Sequence, residues 1–195
     1  MKLSTEELLE KFSSKASHPW NVQKLSLMLF DELNKKVLEM DIRQRKLLES
    51  AALLHDIGYF IEAKSHNKHS QTLIMENGLA EFNEHDKAII ACICRYHRGS
   101  LPDKNKHDFY GSFEKKDRKI IKRLAGILRL ADGLDKAPHS LIKEIAISND
   151  KENNIIDIII TPRTYETCLE ITPAIRKRDL LEIGFKVQSV IKIAR

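Results

Sequence analysis

The sequence predicts a mainly α-helical bundle followed by a small C-terminal antiparallel β-sheet and a last helix. Up to about residue 138, apolar residues recur at spacings of three and four, and Gly or Pro separates the runs. After Pro138 the period changes towards two, and residues 155–161 are rich in β-branched side chains. The 195 residues are 42% apolar and 31% charged, which is typical of a globular protein and excludes a disordered one.

Six helices are predicted in the first part of the chain. The second begins at Ser17 or His18 and has Pro19 in its first turn, where a missing N–H does no harm. The third opens with the capping-box pattern of Asp41 and Gln44. Gly or Pro ends most of the others. The predicted helices cover residues 4–12, 17–40, 41–58, 68–77, 84–98 and 117–136.

The C-terminal part is predicted to form strands around 145–147, 155–161 and 168–171, with a helix over 177–193 packed on them. This divides the chain into a helical domain, residues 1–138, and a small α+β extension, residues 139–195. The extension completes the core, covers a site or forms a homodimer interface, and the sequence leaves these three alternatives open.

Composition argues against a membrane protein, a secreted protein and a nucleic-acid-binding protein. No apolar run approaches the roughly 20 residues of a membrane helix, and the first residues lack a signal-peptide core, so we expect a cytoplasmic protein without membrane contact. Cys92 and Cys94 are two apart on a predicted helix, which does not suit a disulfide. The net charge of +5 favours anionic partners, but an aromatic content of 6% disfavours nucleic acid. The polar, basic loop 99–116 is a solvated segment or a site cover.

Polar side chains occupy apolar helix faces. His55 and Asp56 directly follow the apolar run 51–54, and Asp132 lies within about 20° of Ile121 on the apolar face of the sixth helix. An unpaired buried carboxylate is strongly unfavourable, so these acids need a cation or a full set of hydrogen bonds. His97 repeats the pattern on the inward stripe of the fifth helix.

Two more histidines, His18 and His69, stand at helix starts, where an imidazole can reach between helices; His66 is a spare candidate. Imidazole and carboxylate without thiolate suit Mn²⁺, Fe²⁺, Co²⁺ or Mg²⁺ better than a structural Zn²⁺. The sequence therefore predicts a site for one or two divalent ions. Its candidate metal ligands are His18, His55, Asp56, His69, His97 and Asp132.

The order His18, His55-Asp56, Asp132 resembles the H…HD…D signature of the HD superfamily of metal-dependent phosphohydrolases. Nearly the whole chain also resembles the C-terminal helical domain of the exopolyphosphatase and guanosine pentaphosphate phosphohydrolase family. In that family an actin-like phosphatase domain precedes this module, and we expect the module here to be free-standing. The segments that carry the likeness are HPWNVQKLSLMLFDEL (18–33), AALLHDIGYFI (51–61), HNKHSQTLI (66–74), RYHRGSLP (95–102) and RLAGILRLADGLD (123–135).

The resemblance implies an HD-type helical bundle and hydrolysis of a nucleotide, phosphodiester or polyphosphate by metal-activated water. His18, His55, Asp56 and Asp132 would hold the first ion. Asp56 would bridge to a second ion that His69 and His97 complete. Asp56 and Asp135 are the catalytic candidates, and Asp135 either accepts a ligand imidazole's N–H or positions water. The candidate substrate-binding cations are Lys68, Arg95, Arg98 and Arg129.

Two other functions stay open at this point. A non-catalytic module could use the same pocket to bind a nucleotide or polyphosphate. A di-iron oxygenase could use the same ligand types, although no residue specifically indicates it.

Overall fold

The computed structural model describes residues 2–13, 17–136, 141–164 and 169–194, and within them the chain is mainly α-helical, as predicted. A short 3₁₀ helix, Ile57–Phe60, lies between the third and fourth α-helices. The described α-helices are α1 Thr5–Phe12, α2 His18–Lys36, α3 Ile42–Leu54, α4 His66–Asn77, α5 Glu84–Arg95, α6 Asp108–Gly111, α7 Lys115–Leu134, α8 Thr172–Lys177 and α9 Asp179–Phe185. The strands are β1 Ile142–Asp150, β2 Ile155–Pro162 and β3 Gln188–Ile193.

Local sequence signals account for the helix starts. Ser4 and Glu7 form a reciprocal capping box at α1, and the Asp41 side chain accepts the backbone N–H of Gln44 at 2.7 Å at the start of α3. Several predicted ends differ from the structure. α2 and α5 stop earlier than the apolar period suggests, and the predicted loop 99–116 contains the short α6 and the first residues of α7.

The core is formed by α2, α3, α5 and α7, whose apolar faces are fully buried. α7 is central, because it contacts α2, α3, α5, α8 and α9. Its buried stripe includes Ile121, Leu124 and Leu128. The predicted inward face of this helix is therefore confirmed.

A close approach at Gly58 sets the position of α4. A Cβ at this residue would lie 1.9 Å from the carbonyl oxygen of His66, so only glycine allows the 3₁₀ turn to contact the start of α4. Ser70 fixes the same contact, because its hydroxyl donates to the carbonyl of His55 at 2.7 Å and accepts the N–H of Gly58 at 2.9 Å. These contacts bring the first residue of α4 next to the end of α3.

The C-terminal sheet is mixed. The predicted antiparallel pairing is present only between β1 and β2, where Ile147 pairs with Ile158. The helix predicted over 177–193 is wrong in its second half, because β3 pairs with β2 in parallel and places Ile158 beside Ile191. Residues 188–192 alternate between exposed and buried positions, but the sequence does not show this period, because Ser189 is buried and Val190 is exposed. The predicted strand 168–171 is absent from residues 169–171, and residue 168 lies outside the described part.

The extension packs along α7. The backbone of α9 lies so close that a Cβ on Gly126 would be 2.6 Å from the Cα of Leu181. β1 contacts α2, where the N–H of Ile147 donates to Glu32 at 3.1 Å. The boundary between the two predicted domains falls at residues that the structure does not describe, and the division stays a prediction. In the described ranges, every helix is too short or too polar to cross a lipid bilayer.

Candidate metal centre

Four helix ends bring four histidines around the carboxylate of Asp56. His18 begins α2, His55 and Asp56 follow α3, His66 begins α4, and His97 follows α5. The Oδ1 atom of Asp56 lies 3.1 Å from Nε2 of His66 and 3.6 Å from Nε2 of both His55 and His97. Its Oδ2 atom lies 3.6 Å from Nε2 of His18. All four imidazoles thus present the same nitrogen to one acid.

The other ring nitrogens of His55, His66 and His97 are held by backbone carbonyls three residues upstream. A nitrogen that faces a carbonyl carries the proton, so Nδ1 is the donor and Nε2 has a free lone pair. This is how proteins orient imidazoles towards a metal ion. The three acceptors are the carbonyl oxygens of Ala52 at 2.8 Å, Ala63 at 3.0 Å and Cys94 at 2.8 Å.

Two of these three imidazoles are neutral at pH 7. Burial lowers the pKa of His55 and lowers the pKa of His97 to about 3, so neither is protonated at pH 7. Nε2 of His66 and Nε2 of His97 are 3.3 Å apart, although both are acceptors in this arrangement. Nε2 of His55 is buried and has no hydrogen-bond partner within the described residues. The partnerless nitrogen of His55 and the close approach of the other two nitrogens fit a cation, and the donor set suits a divalent one.

The donors fall into two groups that share Asp56. Within each group the candidate ligand atoms lie within 4.8 Å of one another. One group is His18, His55 and Asp56, and the other is Asp56, His66 and His97. Asp132, near the end of α7, stands beside the first group, since its Oδ1 atom is 3.6 Å from the same nitrogen of His18 that faces Asp56.

Asp135 orients His18. Its Oδ2 atom lies 2.7 Å from Nδ1 of His18, and the carboxylate is 4% exposed. A charge-assisted hydrogen bond of this length fixes both the tautomer and the ring plane, which points Nε2 at Asp56 and Asp132. Of the two roles open for Asp135 in the sequence, the geometry matches acceptance of a ligand imidazole's N–H.

The carboxylate of Asp132 forms ion pairs with two lysines. Nζ of Lys136 lies 3.0 Å from Oδ1, and Nζ of Lys177, the last residue of α8, contacts Oδ2. Burial opposes ionisation of Asp132, but the ammonium groups of Lys177 and Lys136 hold the pKa of this carboxyl well below its usual range. Lys136 could have been found from the sequence, because it is four residues after Asp132 and this spacing brings two side chains together on one helix face. Lys177 is 45 residues away along the chain and lies in a segment whose fold the periodicity did not predict.

His69 is corrected by the structure, which places it outside both groups. The Nε2 atom of His69 lies 3.9 Å from Glu62, and its side chain is 29% exposed. His66 occupies the position beside Asp56 that was predicted for His69. Three residues advance a helix by about 4.5 Å, so the two histidines cannot occupy one position. The local signal that could have favoured His66 is the Gly58 turn, which brings the first residue of α4, not the fourth, against Asp56.

The cluster formed by Asp56, Asp132 and the four histidines around Asp56 opens into a cavity of about 600 Å³. Arg98 and Arg129, two of the four candidate substrate-binding cations, line it, and Arg129 forms a 2.8 Å ion pair with Asp179 on α9. Lys68 and Arg95 do not line this cavity, because the structure places both at a separate one of about 270 Å³. Lys68 is two residues after the cluster histidine of α4, and residues two apart on a helix do not share a face.

A family model described as "Ppx/GppA phosphatase, domain III" matches residues 2–178 of the chain. The chain belongs to the Ppx/GppA phosphatase domain III family. This confirms the predicted relationship with the exopolyphosphatase and guanosine pentaphosphate phosphohydrolases. The family match includes every member of the cluster and both lysines on Asp132, and it ends before α9 and β3. The HD-superfamily assignment stays a prediction.

A curated relative of this Ppx/GppA domain is the guanosine-5'-triphosphate,3'-diphosphate pyrophosphatase of Pseudoalteromonas translucida (strain TAC 125). The two sequences are 25% identical over 100 residues, which is 51% of this chain and 20% of the relative. The aligned part thus spans about one fifth of the relative's length.

Proposed function

We propose that this domain is an HD-type, divalent-metal-dependent phosphohydrolase that acts on a nucleotide, phosphodiester or polyphosphate. The observation that carries the proposal is the convergence of four imidazole Nε2 atoms on the Asp56 carboxylate, with Nδ1 of three of them bonded to backbone carbonyls. Imidazoles oriented by such hydrogen bonds beside a buried carboxylate are the arrangement that a catalytic metal centre needs.

Two ions would share Asp56. His18, His55 and Asp132 would complete the ligands of the first, and His66 and His97 those of the second. A divalent ion here, Mn²⁺, Fe²⁺, Co²⁺ or Mg²⁺, supplies positive charge to phosphoryl oxygens and makes water acidic enough to attack phosphorus near neutral pH. Asp56 and Asp132 provide the negative charge that retains the ions.

The chain's own residues orient the reaction around these ligands. Asp135 holds the His18 ring in place through the 2.7 Å contact at Nδ1. Arg98 and Arg129 stand on the cavity wall, where guanidinium groups bind phosphate oxygens and stabilise the charge that develops on them. The ion pair with Asp179 fixes the Arg129 side chain beforehand, so little side-chain freedom is lost when phosphate binds.

The relatives support a phosphate-containing substrate. The curated relative is named as a pyrophosphatase of a guanosine polyphosphate, and the family model is named for a phosphatase. A cavity with arginine and lysine on its wall suits the same chemistry. A cytoplasmic location and a homodimer remain predictions of the sequence.

The direct test is metal-dependent hydrolysis by the purified full chain. After chelation, the protein is reloaded with each ion in turn and assayed on bis(p-nitrophenyl) phosphate, pyrophosphate, polyphosphate and guanosine tetraphosphate. We expect turnover with at least one ion, and a loss of about a hundredfold or more in kcat/KM in Asp56→Asn. The matched control is Asp31→Asn, which removes a carboxylate that pairs with Arg45 on the surface. Absence of turnover with every ion would contradict the proposal.

A non-catalytic phosphate-binding module is the alternative that one observation favours. Both oxygens of Asp132 already contact lysines, so this acid is neutralised without a metal ion. Binding of pyrophosphate or guanosine tetraphosphate to the chelated protein, without hydrolysis under any metal loading, would support this alternative.

A further inference from the structure

The two lysines that pair with Asp132 come from different segments of the chain and contact the same buried carboxylate. Lys136 follows the end of α7 and Lys177 ends α8, so two separate segments each deliver an ammonium group to one carboxylate. The side chains of Lys136 and Lys177 are 39% and 23% exposed, and Asp132 itself is buried. Each oxygen of the acid therefore has its own cationic partner.

Charge relates these lysines to the proposed metal site. Two ammonium groups carry the charge of one divalent ion. Oδ1 of Asp132, which contacts Lys136, is also the oxygen that lies 3.6 Å from Nε2 of His18 in the first ligand group. An ion at that group and the lysines thus attract the same carboxylate, while they repel each other.

The cavity gives the lysines another partner. Both line the same 600 Å³ space as Arg98 and Arg129. Arg129 is already held by Asp179, so its position does not depend on Asp132. An ammonium group that leaves Asp132 remains at the cavity wall, where it can bind the oxygens of a phosphate group.

We infer that Lys136 and Lys177 are internal counter-ions of Asp132 in the metal-free domain and become phosphate-binding residues when a divalent ion takes this carboxylate. The inference rests on the proposed function for the location of the ion. It implies an order of binding, because phosphate binds strongly only after the ion has released the lysines.

Calorimetric titrations of the full chain test this inference. Mn²⁺ is titrated into the chelated protein, and orthophosphate is then titrated into the Mn²⁺-loaded protein. Wild type is compared with Lys136→Gln, Lys177→Gln and the double variant. The matched control is Arg178→Gln, which removes the same charge one residue away, at a side chain that pairs with Glu182 at 3.3 Å.

Each lysine substitution is expected to raise Mn²⁺ affinity and to lower orthophosphate affinity, both by about tenfold, the size of one charge-assisted hydrogen bond. Arg178→Gln should match wild type in both titrations. An increase in Mn²⁺ affinity together with a decrease in orthophosphate affinity distinguishes the inference from damage to the fold, because a damaged fold would bind both ligands more weakly.

The outcomes separate this inference from the proposed function. If wild type binds Mn²⁺ but either affinity is unchanged in the lysine variants, the inference is overturned and the metal centre stands. If only the double variant binds Mn²⁺, the counter-ion role is supported and the proposed function is contradicted. If no protein binds Mn²⁺, both are overturned.

Discussion

Asp135→Asn is expected to weaken metal binding although Asp135 is not itself a proposed ligand. The substitution keeps the shape of the side chain and removes the charge that faces Nδ1 of His18 at 2.7 Å. A hydrogen bond to a charged group contributes about 1.5–3 kcal/mol, which corresponds to a loss of about 10- to 150-fold in affinity. Loss of an acid that orients a metal-bound imidazole costs about 10- to 100-fold, in agreement with this range. Mn²⁺ affinity is measured by the decrease of the free-ion electron paramagnetic resonance signal.

The matched control is Asp157→Asn, which loses a contact of the same length, 2.7 Å to Nζ of Lys192, on the sheet. It should bind Mn²⁺ as wild type does. If Asp135→Asn also binds Mn²⁺ normally but has a lower kcat, Asp135 acts on water or substrate instead of on His18. The positioning role assigned to it here would then be refuted.

Three further predictions follow from the geometry. His66→Ala should lose about one bound Mn²⁺ per chain by metal analysis, whereas His69→Ala should retain it, and equal losses would contradict the assignment. Gly126→Ala should lower the free energy of unfolding by about 1–3 kcal/mol in urea titrations, because its Cβ would overlap the backbone of α9, and an unchanged midpoint would disprove that close packing. Burial raises the pKa of the thiols of Cys92 and Cys94, so peptide mapping should find them unlabelled by iodoacetamide at pH 8 in the native protein and labelled in urea; native labelling would contradict their burial.

Much of the helical part could be predicted because its signals are local. The Asp41 cap and the apolar stripe of α7 depend on residues close together in the chain, and both are present in the structure. The same holds for the acids: Asp56 and Asp132 were recognisable as carboxylates on apolar faces, and the structure places both 3.6 Å from Nε2 of His18.

The remaining features depend on contacts between distant segments. The choice of His66 over His69 follows from the close approach of Gly58 to α4, which no helical period encodes. β3 was predicted as helix because its pairing with β2 is parallel and joins residues more than 30 apart. Lys177 reaches Asp132 only because α8 packs on α7.

Imidazoles and carboxylates from the ends of five helices, α2, α3, α4, α5 and α7, are proposed to bind divalent metal ions. Crystals of the protein grown with Mn²⁺ and measured at the manganese absorption edge test this proposal most directly. The account predicts an anomalous peak within about 2.0–2.4 Å of an Asp56 oxygen and of imidazole Nε2 atoms from His18 and His55 or from His66 and His97. Anomalous peaks only at other places, or none at full Mn²⁺ saturation, would contradict it.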